Sequence, residues 1–413
     1  MSQMPAASET TNGAKPLPLD GVRVVDFSRL LPGPWATQML GELGADVIKV
    51  EPPGIGDPSR HSQPRLNKDS VYFNAVNANK RSIALDLAQD AGREVACRLL
   101  RDADVVVESY RPGVAKKLGI DYASIRQFNL RVIYCSISGF GQNGPLSHIA
   151  GHDLVIQGMT GLMGCSLESA NPPQVPGFQA GDFAGALMTV IGVQAALAKR
   201  ARTGEGCEID IAMFEALLNM CVIPLTPALG RLAGHSGEPR QEVFGRNPRY
   251  ATYLSRDGKP VAVSLLEAKA WREFCHAIGR ADLIFEDETP ADRLTAHGAR
   301  RGIYHDAIGQ YCASHTWADI MRHMEMTGIA ICPVCTPDEA LALPHVAERR
   351  LIEDLRHPVE GRVPHLVNPL ARAGLARTTN RPAPGLSEHA GEILTALRYS
   401  PEEIAALRQR QVI

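Results

Sequence analysis

The sequence predicts an α/β protein with a large domain built on a mostly parallel, doubly wound sheet and a smaller α+β domain. Three observations predict this. Short β-branched runs alternate with helical segments through the first part of the chain. One long helical segment rich in small residues follows. Beyond it the pattern changes to a hairpin and then to helices. At 413 residues the chain also exceeds one simple core, given roughly 100–200 residues per domain.

The opening stretch, MSQMPAASETTNGAKPLPLDG, has no continuous apolar run and no basic leader, so it does not read as a secretory signal. Its Ser, Thr, Ala and Pro content makes residues 1–18 a disordered tail. Order begins at Val22–Phe27, a short buried strand. LLPGPWATQMLGELG follows as a helix, with Pro34 near its start and Gly44 at its stop. Ala45–Glu51 is a second strand, and the unit reads strand–helix–strand. Ser82–Leu87, Asp104–Ser109 and Arg131–Ser138 are further strands, with a helix over Gly92–Ala103. Asp182–Thr203 is a long helix stopped by Gly204, and CEIDIAMFEALLNM is a strand followed by a helix. From Leu225 to about Gly245 the chain is rich in Gly, Pro and charge and reads as a linker. YATYLSRDGKPVAVSLLE reads as a hairpin turning at Asp257-Gly258. The expected organisation is a large domain over 19–224, a small domain over 225–330, and a segment 331–413 returning to the large domain.

Composition narrows the function. The net charge of −2 gives no basic surface for nucleic acid. No apolar run reaches the roughly 20 residues that span a bilayer, so neither nucleic acid nor membrane is an expected partner. Nine cysteines are irregularly spaced. Cys332 and Cys335 form a lone C-x-x-C pair with neither a second pair nor a nearby H-x-x-x-H, which argues against zinc or redox chemistry. The reading is a reduced, cytoplasmic protein without a metal.

GIGDPS (Gly54–Ser59) lacks dinucleotide-loop spacing and reads as a turn. Walker, G-x-S-x-G and H-E-x-x-H motifs are absent. The titratable candidates are His152 and Asp153 in AGHDL, Asp182 in GDFAGALM, and Glu267 in SLLEAKAW. Each also has a structural reading: Asp153 and Asp182 as helix caps, His152 as a surface histidine, Glu267 as a solvated helix-start acid. A helix N-terminus would hold the Asp182 carboxylate ionised.

Six segments occur together: LDGVRVVDFSRLLPGPWATQMLGELGADVIKVE, NKRSIALDL, ESYRPGVAKKLGI, SGFGQNGPLSHIAGHDLVIQGMTGLM, GDFAGALM and YATYLSRDG. In this order, over about Leu19 to Ile413, they resemble the CaiB/BaiF family of class III CoA-transferases. The resemblance implies a Rossmann-like large domain, a smaller domain, and an interlocked homodimer with its active site between subunits. It implies that Asp182 is the nucleophile or base. Coenzyme A would arrive as part of an acyl-CoA substrate, with no cofactor bound permanently.

The family holds two chemistries. In α-methylacyl-CoA racemases two bases exchange the α-proton; in CoA-transferases an aspartate carries the group covalently and a carboxylic acid accepts CoA. The G-H-D histidine and a glutamate after the hairpin are racemase-type features, matched here by His152 and Glu267. The expectation is therefore racemase-type proton transfer, with His152 oriented by Glu267 as one base and Asp182 as the other; CoA transfer through an aspartyl-CoA at Asp182 is the alternative. Asp153 would position the thioester, and backbone N–H groups at the helix opened by Asp182 would hold the oxyanion. Arg29, Lys80, Arg81, Tyr110, Arg111 and Lys117 are the implied CoA contacts. The family's frequent arginine after the second-strand acid is absent: Pro52 and Pro53 follow Glu51.

Overall fold

The computed structural model describes residues 16–166, 172–235, 237, 239–378 and 380–413. The expected N-terminal tail lies outside the described residues as far as residue 15. The chain divides into two compact units. One comprises residues up to Gln157, Pro176–Met220 and Ala347–Ile413; the other comprises Gly158–Val175 and Cys221–Val346.

The first unit is built on six parallel strands: β1 (Arg23–Asp26), β2 (Asp46–Glu51), β3 (Lys80–Ala84), β4 (Val105–Glu108), β5 (Ile133–Ser138) and β6 (Cys207–Ala212). Their order is β3-β2-β1-β4-β5-β6. Strand order reverses between β1 and β4, and in doubly wound sheets the crevice at that switch point receives ligands. The β-branched runs form these strands because both faces are covered: Val24, Val25, Val105, Val106 and Val107 have no exposure. Each such side chain contributes about 1.5–3 kcal/mol on burial. The C-terminal helices Ala390–Ala396 and Pro401–Gln409 add Ile393, Leu394, Ile404 and Leu407 to the same core, which ties the end of the chain to this unit.

Pro32 and Gly33 fix the path of the chain after β1. The helix Pro32–Glu42 starts with proline in its first turn, where a missing N–H costs nothing. Gly33 is obligatory there, since a Cβ would lie 2.1 Å from the Cβ of Ser28. The long helix Ala180–Thr203 packs through Ala184, Gly185, Ala186, Val190 and Val193. Its length and mean hydropathy of 1.4 match those of a membrane span, which corrects the expectation that no segment reaches such a length. Its buried small-residue face gives it the part of a core helix in this unit.

The hairpin β10 (Ile352–His357) and β11 (Gly361–Leu366) also belongs to the first unit. Glu360 beside its turn accepts from the backbone N–H groups of Lys68 and Asp69, both at 2.9 Å.

The second unit carries the antiparallel sheet β7 (Tyr250–Leu254), β8 (Pro260–Ser264) and β9 (Ile331–Pro333). Asp257-Gly258 makes the turn, with Gly258 at φ +74°. Trp271, Phe274, Tyr304, Ile308 and Tyr311 fill the core behind it. Because β9 pairs with β8, residues 331–346 belong to this unit, beyond the boundary expected at 330. The expected linker also differs: Val222–Leu232 is a helix with Pro227 inside it.

Candidate active site

All of the site described here lies in the first unit. A cavity of about 500 Å³ opens at the carboxyl ends of β1, β4 and β5. Arg29 enters it from the turn after β1, Ser109 and Arg111 from that after β4, and Ser138 from the end of β5. His152 and Asp182 line the same cavity. A second cavity of about 350 Å³ lies at the ends of β1, β2 and β3, walled by Phe27, Pro53, Ile55, Leu87 and Leu118. Arg29, Pro58 and Tyr110 border both, and the Arg29 guanidinium lies 5.4 Å from the centre of the Tyr110 ring.

Asp182 stands in the first turn of the helix Ala180–Thr203. Its backbone is fixed by Asp153, the first residue of the helix Asp153–Met159. Asp153 Oδ1 accepts from Gly181 N at 2.7 Å and Asp182 N at 3.3 Å. Its Oδ2 accepts from Gln157 Nε2 at 2.6 Å, and Gln157 also donates to the Phe178 carbonyl at 2.8 Å. This explains the GD pair: a Cβ on Gly181 would lie 2.9 Å from Ile156 Cγ2, so any larger residue would push Asp182 away. A similar closeness places His152. The backbones of Gly139 and Gly151 touch, and a Cβ on Gly139 would meet Gly151 Cα at 2.6 Å. The loop carrying His152 is thereby pressed against the end of β5.

Burial, and then the neighbouring Asp153 carboxylate, push the Asp182 carboxyl up from 3.8 to about 7. The helix N-terminus was expected to favour the ionised form of Asp182, and the shift runs the other way. The donors of the first turn are spent elsewhere: Ala180 N on Phe178 O, Gly181 N and Asp182 N on Asp153, and Phe183 N on Gln179 O. The same facts correct two further expectations. Asp153 caps the helix that carries Asp182, and these N–H groups are not free to hold an oxyanion. Two residues without a sequence motif line the cavity as well. Ser138 is one, and its buried Oγ has no hydrogen-bond partner among the described residues. The Tyr72 phenol is held in its neutral form by burial and by the charge of Asp182. Tyr72 sits in DSVYFN, a segment without any motif, so only folding brings it to Asp182.

The implied CoA contacts divide. Arg29, Arg111 and Lys117 are exposed near the strand ends and Tyr110 is half-buried. Lys80 is fully buried: its Nζ donates to Asp26 Oδ2 at 3.0 Å, Pro34 O at 2.9 Å and Asn77 Oδ1 at 2.8 Å. Burial alone would raise the Asp26 carboxyl, but Lys80 and Lys49 hold it down at about 2. Lys80 is thus a structural ion-pair partner and not a phosphate contact. Arg81 is likewise committed, to Asp46 at 2.6 Å and Glu392 at 2.7 Å. Glu267 belongs to the second unit, where it is exposed and precedes the helix Ala268–Ala277 without a side-chain capping bond.

The fold and cavity define a doubly wound α/β protein with a partly buried carboxylate at a ligand-binding crevice. The model of CoA-transferase family III matches residues 19–390, and the chain belongs to that family. It is 33% identical over 350 residues to the acetyl-CoA:oxalate CoA-transferase of Acetobacter aceti, covering 84% of this chain and 88% of the relative. It is 33% identical over 390 residues to the succinate–glutarate CoA-transferase of Agrobacterium fabrum, covering 92% and 96%. A crystal structure of a CaiB/BaiF family protein from Brucella suis superposes with a TM-score of 0.79 at 33% identity, covering 93% of this chain and all of the other. These named enzymes are CoA-transferases, so the comparisons favour the alternative over the racemase expectation.

Proposed function

We propose that the protein is a CoA-transferase that moves CoA from an acyl-CoA donor to a carboxylic-acid acceptor through Asp182. The observation that carries this reading is the Asp182 carboxylate in the wall of a cavity that shares its Arg29 border with a second, apolar cavity. The acyl end of a CoA thioester would occupy the first cavity and the adenine the second, with phosphates near Arg29, Arg111 and Lys117.

In the forward reaction a carboxylate oxygen of Asp182 attacks the thioester carbonyl and expels CoA thiolate, leaving an acyl-aspartyl anhydride. The thiolate attacks the aspartyl carbonyl, releasing the donor acid and forming an aspartyl-CoA thioester. The acceptor carboxylate then attacks that thioester, and thiolate attack on the new anhydride yields the acceptor's acyl-CoA and free Asp182. No proton is consumed. Each tetrahedral oxyanion needs a donor, and Tyr72 and Ser138 are the proposed ones. The reading includes a homodimer, a cytoplasmic setting and no permanently bound cofactor. His152 shares the cavity with Asp182, and with Glu267 it would acquire a proton-transfer role only in a racemase.

The test incubates the protein with acetyl-CoA or succinyl-CoA and a panel of dicarboxylic acids, and separates the CoA esters. New acyl-CoA should form, and Asp182→Ala should abolish it. His152→Ala should retain activity to within about tenfold. Exchange of the α-proton of a 2-methylacyl-CoA in heavy water, with no transfer to any acid, would overturn the reading in favour of a racemase.

A further inference from the structure

The segment Ser28–Leu31 borders both cavities and carries Arg29. It is held in an unusual conformation: Leu30 has φ +65°, in the left-handed region that a residue with a side chain rarely adopts. Such a backbone persists only where its surroundings over-determine it. Here three successive residues are pinned from three different elements. The Ser28 carbonyl accepts from Lys49 Nζ at 2.8 Å. Arg29 N donates to Ser109 Oγ at 3.0 Å. Leu30 N donates to Asp57 Oδ1 at 3.2 Å.

Two of the pins are one ion pair. Lys49 Nζ lies 2.9 Å from Asp57 Oδ2, and the side chains are 0% and 1% exposed. Asp57 is itself fixed by Ser59, whose N and Oγ donate to Oδ1 at 2.9 and 2.7 Å. Glu51 accepts from Asp57 N at 2.9 Å and braces Arg60 on its other side. A buried pair of this kind contributes little net stability, because desolvation offsets the attraction. What it does here is hold Arg29, the one cationic side chain among the described residues that borders both cavities.

We infer that the buried Lys49–Asp57 pair, together with Ser109, is a positioning device that presents Arg29 to the phosphate-bearing half of a CoA ester. Neither Lys49 nor Asp57 needs to touch the reacting atoms. They act through the backbone of Ser28 and Leu30, and the strain at Leu30 keeps Arg29 preset before substrate arrives. The inference rests on the CoA-thioester reading of the site, but not on whether the chemistry is transfer or racemisation.

The experiment measures binding and needs no turnover. Calorimetry gives Kd for CoA and for pantetheine, which lacks the nucleotide and phosphates, on the wild-type protein and on Lys49→Met, Ser109→Ala, Arg29→Ala and the Ser109→Ala/Arg29→Ala double variant. Lys49→Met and Ser109→Ala should each weaken CoA about tenfold while changing pantetheine less than about twofold. The double variant should bind CoA no more weakly than Arg29→Ala alone, since the pin acts only through Arg29. If burying an unpaired Asp57 prevents Lys49→Met from folding, Ser109→Ala decides alone, because it removes a neutral bond. Unchanged CoA affinity in a folded variant overturns the inference. So does an equal loss for CoA and pantetheine, or additive losses in the double variant. A wild-type protein that binds CoA in this pattern but transfers it to no acid would sink the transferase reading and leave the positioning device standing.

Discussion

Replacing Asp182 with asparagine should inactivate the protein and make it more stable, by an amount that depends on pH. The side chain keeps its shape, and the cap from Asp153 engages backbone N–H groups that the change leaves in place. What disappears is a carboxyl group held at about 7 in the folded chain against an ordinary 3.8. Below pH 3.8 the group is protonated in both folded and unfolded chains, and its contribution is fully present. Between pH 3.8 and 7 the unfolded chain ionises the group while the folded chain keeps it protonated, so that contribution is lost progressively and is gone above 7. At 1.36 kcal/mol per pH unit the full span corresponds to about 4 kcal/mol, and its partial exposure reduces this to about 2–4 kcal/mol. Urea unfolding of Asp182→Asn and wild type, followed at pH 4 and pH 8.5, checks it. The variant should match the wild type at the lower pH and show a higher midpoint at the upper. A difference independent of pH, or a variant less stable at pH 8.5, would refute the assignment of a costly, function-bearing carboxylate.

Asp153→Asn removes the second cause of that elevation, so the ascending limb of kcat/KM against pH should move down by roughly one unit; a limb that stays in place excludes Asp153 as a tuning charge. Gly181→Ala should cost about 1–3 kcal/mol in urea unfolding and greatly lower kcat, because the new methyl collides with Ile156 and displaces Asp182. Lys80→Met leaves Asp26 buried with one cation fewer, so it should destabilise by about 3–5 kcal/mol. Whatever folds should bind CoA with wild-type affinity, and a loss of CoA binding in folded protein would restore Lys80 to the substrate site.

The sheet was legible because its strands are short β-branched runs separated by helical periods, and such runs have one way to be buried on both faces. Lys80 shows where that legibility stops. The sequence places the third strand at Ser82–Leu87, but β3 begins at Lys80. This difference moves the lysine from a strand-end loop into the sheet, beneath the start of the helix Pro32–Glu42. Asp182 was visible as a helix-start acid, but its chemistry was not, because the carboxylate that takes its helix donors comes from Asp153, distant in sequence. The helix Val222–Leu232 was hidden by its prolines. Pro224 falls in the first turn, where it is tolerated. Pro227 frees the Ile223 carbonyl, which accepts from Thr226 Oγ1 at 2.8 Å instead. Tyr72 and Ser138 carried no signal of their own, since their relevance lies in which cavity they face.

The most direct test weighs the intact protein after brief incubation with an acyl-CoA and no acceptor. A CoA-sized addition should appear, map to the peptide containing Asp182, and be missing from Asp182→Asn. No such addition on protein that transfers CoA once an acceptor is supplied, or an addition on another residue, contradicts the account.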